Sequence, residues 1–232
     1  MLIDHTNQRI LEVLETREKS ALKAWLKEGR ASGLLAELEE VTTDMWDGYT
    51  MAAREALGSR IRIVVDRFHV MKHFQDRLGA ARREIQRRLP KEAAGELGGS
   101  RWLWVTNSEN LSPEQQQELN RLKRQFPDLA RLSEHREELR RVFEDREIRT
   151  AAVGTLRLRE WCRQGRRLGL AALEPFYKML ENWMDKIANY FVSRSSNGRT
   201  EGFNRNLRCL LWRACGMRNF NHFRLRVLHA LG

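Results

Sequence analysis

The stretch "LEEVTTDMWDGYTMAAREALGSRIRIVVDRFH", residues 38–69, decides the fold. Its first seven residues are a short β-branched run that ends on Asp44. "WDGYTMAAREAL" then follows a helical pattern, and Gly58 stops it. "RIRIVVD" is a second β-branched run, ending on Asp66. Strand, helix and strand within about 30 residues are most economically a right-handed βαβ unit with parallel strands. Parallel strands finish on one edge of a sheet, the edge where α/β folds usually build their sites. Asp44 and Asp66 are therefore expected near each other, although far apart in sequence. Either one alone would suit a helix cap; two in this arrangement favour a site.

Working outward, "MLIDHTNQRILEVLE" suits two short strands around a "TNQR" turn. Residues 17–29 place Ala21, Leu22, Trp25 and Leu26 at helical spacing, with Gly29 as a stop. From about 71 to 190 the period is helical throughout. Ser112 and Pro113 mark a helix start, because proline suits the first helical position. "PKEAAGELGGSRWLWVTNSENLS", from residue 90, is the longest break, and Trp102 and Trp104 are expected to anchor it as a loop. A last helix is expected from about Thr200, after the turn-forming "SNG". Phe203, Leu207, Leu210, Leu211 and Ala214 make its apolar stripe, while Glu201, Arg205 and Arg208 share another face. That second face fits an exposed Glu–Arg surface pair, or a carboxylate facing a site beside phosphate-holding arginines.

The chain has 232 residues, 41% of them hydrophobic, enough for a real core. No run approaches the roughly 18 apolar residues of a membrane span, and no secretion signal follows Met1, so a cytoplasmic, membrane-free protein is expected. Cys162, Cys209 and Cys215 are few, odd in number and lack paired spacing, which fits reduced thiols rather than zinc or disulfides. The net charge is +11. Residues 181–232 hold nine basic side chains against three acidic ones. Such a stripe attracts phosphate backbones through counterion release, although a solvated basic surface without a specific partner has the same composition.

Two aspartates on strand ends, a later glutamate and a basic neighbourhood suggest metal-assisted phosphoryl transfer. Mg²⁺ takes oxygen ligands, usually a few carboxylates with water and phosphate, and paired ions can serve both the attacking and the leaving oxygen. Arginines hold DNA without reading its sequence.

"VTTDMWDGY", "VVDRFHVMKHF", "SNGRTEGFNRNLR" and "CGMRNFNHFRLR", in that order, resemble bacterial insertion-sequence transposases of the ISL-three type. The resemblance runs across nearly the whole chain. It implies an α/β, ribonuclease-H-like DDE domain with a large all-helical insertion, mostly helical overall. The parts would be residues 1–70 for the hairpin and βαβ unit, 71–190 for the insertion, and 191–232 for the last catalytic helix and basic C-terminal helices. It also implies Mg²⁺-dependent (or Mn²⁺-dependent) DNA strand cleavage and strand transfer, DNA as partner in the form of transposon ends and target, and a homodimer on DNA.

Carried over by position, Asp44 resembles the second acid of the triad and Glu201 the third, the two metal ligands. Asp66 and His69 match a D-x-x-H motif close to such sites, although a buried structural histidine fits His69 as well. Arg199, Arg205, Arg208, Arg213 and Arg218 are the DNA-binding candidates. The family's first acid lies on an earlier strand that finds no counterpart here, and Asp4 aligns to the strand after it. The expectation is a domain lacking its first strand, a truncated form with weakened or no strand-transfer activity. "LLWRAC" departs from a more basic family pattern. The alternative from another class is a non-enzymatic, basic DNA-binding helical protein, whose binding would ignore Mg²⁺ and Asp44→Asn.

Overall fold

The structure is a computed structural model. It describes residues 1–195, 198–213 and 219–231, with the backbone alone for residues 198–201 and 213. The chain is mostly helical with few strands, and it divides into two compact units. One comprises Met1–Phe68 and Ser195–Gly232, the other His69–Arg194.

The first unit opens with β1 (Leu2–Asp4) and β2 (Arg9–Glu12), paired antiparallel with Asp4 opposite Arg9. The turn between them is built by Asp4, whose Oδ1 accepts from the backbone N–H groups of Thr6 and Asn7 at 3.0 Å each. The Asn7 amide donates to its other oxygen at 2.7 Å. These bonds, the Asn7 side chain first, hold the Asp4 carboxyl below its ordinary pKa. Asp4 is thereby accounted for as a turn-former.

Next come α1 (Lys19–Ala31), β3 (Glu40–Thr43), α2 (Asp47–Leu57) and β4 (Arg62–Val65). β3 and β4 pair in parallel, with Glu40 opposite Arg62 and Thr43 opposite Val65, the βαβ unit expected from residues 38–69. Ile63, Val64 and Val65 are all fully buried, as strands covered on both faces are. α1 packs on α2 through Leu22 and Leu26 against Ala52, Ala53 and Ala56. The small alanines let the two helices approach closely. α2 ends at Gly58, whose φ of 90° is a conformation that side chains resist. The Arg54 guanidinium then donates to the carbonyls of Ser59 (2.6 Å) and Ile61 (2.7 Å), fastening the entry to β4. The hairpin and the parallel pair are separate two-stranded ladders among the described residues.

The helix α3 (Arg67–Arg88) leads into the second unit, which continues through α4 (Lys91–Leu97), α5 (Arg101–Val105), α6 (Pro113–Gln125) and α7 (Pro127–Glu144). It is completed by α8 (Ala151–Arg167), α9 (Glu174–Asn182), α10 (Met184–Ala188) and α11 (Tyr190–Ser193). α6 starts as its sequence predicts. Ser112 accepts from the Gln115 N–H and the Gln115 side chain answers to the Ser112 N–H, a reciprocal capping box.

In this unit three sequence expectations need correction. The segment after Pro90 is not a loop but the two short helices α4 and α5. Within it Trp104 is buried, donating to Ser100 Oγ at 3.1 Å, whereas Trp102 stands 68% exposed with the Arg101 guanidinium over its ring. One anchor suffices for a five-residue helix, because residues two apart face opposite sides. The helical period read throughout residues 71–190 breaks at residues 145–150, where Thr150 caps α8 by accepting from the Val153 N–H.

The core of this unit is aromatic. Phe74 meets Trp161 and Phe176, and the His135 ring stacks on Trp161 at 4.0 Å. His135 is buried, with Nδ1 at 3.0 Å from Glu138 and Nε2 at 3.2 Å from the Tyr177 hydroxyl. Gly165 leaves room for this arrangement, since a Cβ there would sit 1.9 Å from the Tyr177 hydroxyl. Arg194, in the left-handed region with a φ of 59°, donates to three carbonyls: Phe143 (2.7 Å), Asp145 (2.6 Å) and Ile148 (2.6 Å). It closes the α7–α8 connection.

The chain then returns to the first unit with α12 (Gly198–Arg213) and α13 (Phe220–Leu231). Phe203, Leu207 and Leu210 of α12 join Phe223, Val227 and Leu228 of α13 against Ile10 and Val13, next to the hairpin. Leu211, placed in the buried stripe by its spacing, is instead 47% exposed. Positions i, i+4 and i+7 already fill the contact with the hairpin, and the neighbouring position turns outward. Ala214 lies outside the described residues.

Candidate functional site

The register of β3 and β4 sets the geometry. Thr43 and Val65 are the last registered pair, so Asp44 and Asp66 are the next residues on each chain. Parallel strands lie about 4.8 Å apart, and both aspartates leave the same edge of the ladder.

Their environments differ. Asp44 is exposed, and its carbonyl accepts the Trp46 N–H at 2.8 Å, which turns the chain into α2. Asp66 is fully buried. Its Oδ1 accepts the N–H of Phe68 at 3.1 Å, the bond of a helix cap at the start of α3. His69 follows in the first turn of α3 and is half-buried. Of the two readings for an Asp at a strand end, Asp66 has the cap and Asp44 has the solvent.

Glu201 lies on α12, and its side chain is outside the described residues, as are those of Arg199 and Arg213. Arg218 lies outside them altogether. Arg205 and Arg208 are exposed, on the opposite side of α12 from Phe203, Leu207 and Leu210. The helix thus presents arginines to solvent by burying its apolar stripe. Among the described residues, which leave out the Glu201 carboxylate, no group of three or more His, Cys, Asp or Glu could hold a metal ion. The described donors at the ladder edge are carboxylate oxygens, which suit a hard cation such as Mg²⁺ better than a thiolate-seeking one. Cys162 is buried, and burial pushes its thiol up to about 12, which leaves it inert.

An open groove around Trp46, two residues beyond Asp44, escaped the sequence reading. Trp46 is 43% exposed there, with Arg17, Lys19, Lys23 and Glu55 around it. Lys23 Nζ contacts Glu55 at 2.5 Å, and Lys19 bonds the other oxygen of the same carboxylate. Lys19 first and then Lys23 bring Glu55 down to about 2. The available signal was a tryptophan at the polar start of a helix, where burial is not expected. No described helix is long and apolar enough to cross a membrane.

Residues 1–227 match the family described as "Transposase", the DDE type of the ISL-three group. The chain is also 24% identical over 230 residues to the transposase for insertion sequence element IS1001 of Bordetella parapertussis. That alignment covers 98% of this chain and 55% of the relative, so the chain spans about half the length of the curated protein it matches. No solved structure matches.

Proposed function

This chain belongs to the ISL-three-type transposase family, and on that premise we propose that it acts in DNA transposition as a DDE-type polynucleotidyl transferase domain with a ribonuclease-H-like sheet. The observation that carries the reading is the shared exit of Asp44 and Asp66 from the parallel β3–β4 ladder. Asp44, exposed at that edge, is the carboxylate that would face a substrate phosphate and a cation. Glu201, on the helix that returns to the same unit, is its partner.

Asp44 and Glu201 would hold Mg²⁺ or Mn²⁺, which when bound supplies charge for the attacking and leaving oxygens of phosphoryl transfer. Asp66 acts differently. Buried and bonded to the Phe68 N–H, it fixes where β4 stops and α3 starts, and so holds the edge on which Asp44 stands. His69, in the first turn of α3, is a candidate to hold a proton or a phosphate oxygen. Arg205 and Arg208, exposed on α12, would bind DNA phosphates without regard to sequence. Arg199, Arg213 and Arg218 are proposed to extend the same basic stripe.

Calorimetric titration of Mg²⁺ and of Mn²⁺ into the whole chain tests this. The wild type is expected to bind, and Asp44→Asn and Glu201→Ala to lose most of the heat. Equal heats in all three proteins reject the assignment of this pair.

A further inference from the structure

The groove around Trp46 has the features of a platform for an unpaired base. Trp46 lies two residues beyond Asp44, with its ring set edge-on to Tyr49 at 4.3 Å. Its position depends on Gly48: a Cβ there would come within 2.4–2.6 Å of three indole carbons. The indole is thus seated over the first turn of α2 in space that only glycine leaves, yet 43% of the residue stays in solvent. A large aromatic ring held in a fixed place but left exposed is an unusual use of apolar surface.

The charges around it suit an anion. Arg17, Lys19 and Lys23 line the groove with Glu18 and Glu55. Glu55 is held between the two lysines, each of which keeps donors beyond the one it spends there. Arg17 is exposed. Three cations against two carboxylates leave a net positive rim around an aromatic face. Aromatic rings flanked by cations hold single strands by stacking bases while the cations follow the phosphates.

We infer that Trp46 is a stacking site for an unpaired nucleotide of single-stranded DNA, with Arg17, Lys19 and Lys23 on its phosphates. This rests on the transposase reading above. It adds that the strand is unpaired where it meets Trp46, since a base inside a duplex offers no open face to an indole.

The test uses the whole chain and a fluorescein-labelled thymidine 20-mer, alone and as a duplex with its complement, followed by anisotropy. Trp46→Ala is expected to weaken single-strand binding roughly 5- to 100-fold and to leave duplex binding within about twofold, with Trp46→Phe close to wild type. Gly48→Ala, which keeps the indole but displaces it, should lose part of the same affinity. Trp102→Ala, an exposed tryptophan of the other unit, should bind as wild type. A photo-crosslink from 5-iodouracil in the 20-mer, placed on the peptide containing Trp46 by mass spectrometry of the unaltered chain, gives the same answer without any variant. Wild-type single-strand affinity in both Trp46→Ala and Gly48→Ala, or crosslinks only elsewhere, overturns the platform. The transposase reading then still stands if duplex binding and the metal heats of Asp44 persist. Absence of any DNA binding by the wild type sinks both.

Discussion

Arg224 and Glu12 form a two-point ion pair that joins α13 to β2. Arg224 Nε donates to Glu12 Oε1 at 2.5 Å, and Nη2 bonds the other oxygen. The Val13 N–H adds a third bond to Oε1 at 2.7 Å. Glu12 is 6% exposed. Burial alone would raise its pKa, but the Arg224 bonds and charge, with the Val13 N–H, hold it below the ordinary glutamate value. Arg224, one of the last basic residues, therefore belongs to the fold.

Removing that arginine strands a buried carboxylate. Arg224→Ala is expected to destabilise the chain by about 1–3 kcal/mol, less than a fully buried pair because Arg224 is a third exposed. A depressed carboxylate pKa stabilises the fold above the unfolded value, about 4.3, and that stability fades as pH falls through the lower folded value. Thermal melts of Glu12→Gln should accordingly lose part of the wild-type drop in Tm below about pH 4. An unchanged acid limb would refute the assignment.

Asp44 and Asp66 should separate in stability as well as in chemistry. Asp66→Ala removes a cap and opens a buried space, at about 1–2 kcal/mol. Asp44→Ala, at an exposed position, should cost less than Asp66→Ala. Urea denaturation of the two variants decides this. The reverse order would mean that Asp44 is the structural acid.

His135 is expected to make the second unit acid-sensitive. Burial lowers its pKa, with Glu138 opposing. A histidine with a lowered pKa stays neutral in the fold, so the stability it permits is complete above the unfolded value, about 6.5. It declines as pH drops below that, because the unfolded chain takes up the proton first. Replacing His135 by Gln should flatten the Tm profile between about pH 5 and 7. Gly165→Ala should lower Tm at every pH, since its methyl would collide with Tyr177 and His135.

Arg205→Ala and Arg208→Ala should leave the melting temperature unchanged, because both side chains are exposed. Each should reduce the salt dependence of duplex binding by about one phosphate contact. Arg194→Ala should do the opposite. Losing three carbonyl bonds, it should destabilise the fold by about 2–4 kcal/mol without a specific change in the salt slope. Filter binding from 50 to 200 mM salt (about the range where counterion release is readable) separates the two behaviours.

What the sequence determined by itself was local and periodic. The β-branched runs ending at Asp44 and Asp66, the glycine at 58, the Ser112–Pro113 start and the apolar positions Phe203, Leu207 and Leu210 each specify their own backbone or face, because period and turn chemistry act over a few residues. The family likeness was legible for the same reason, in short ordered motifs. Only the tertiary structure decided which aspartate is sealed and which is wet, that Trp46 stays exposed over Gly48, that Leu211 turns outward, and that Arg224 is committed to Glu12. Those outcomes depend on which surfaces meet after the chain has folded back over 212 residues, and burial and charge pairing across such separations leave no spacing to read.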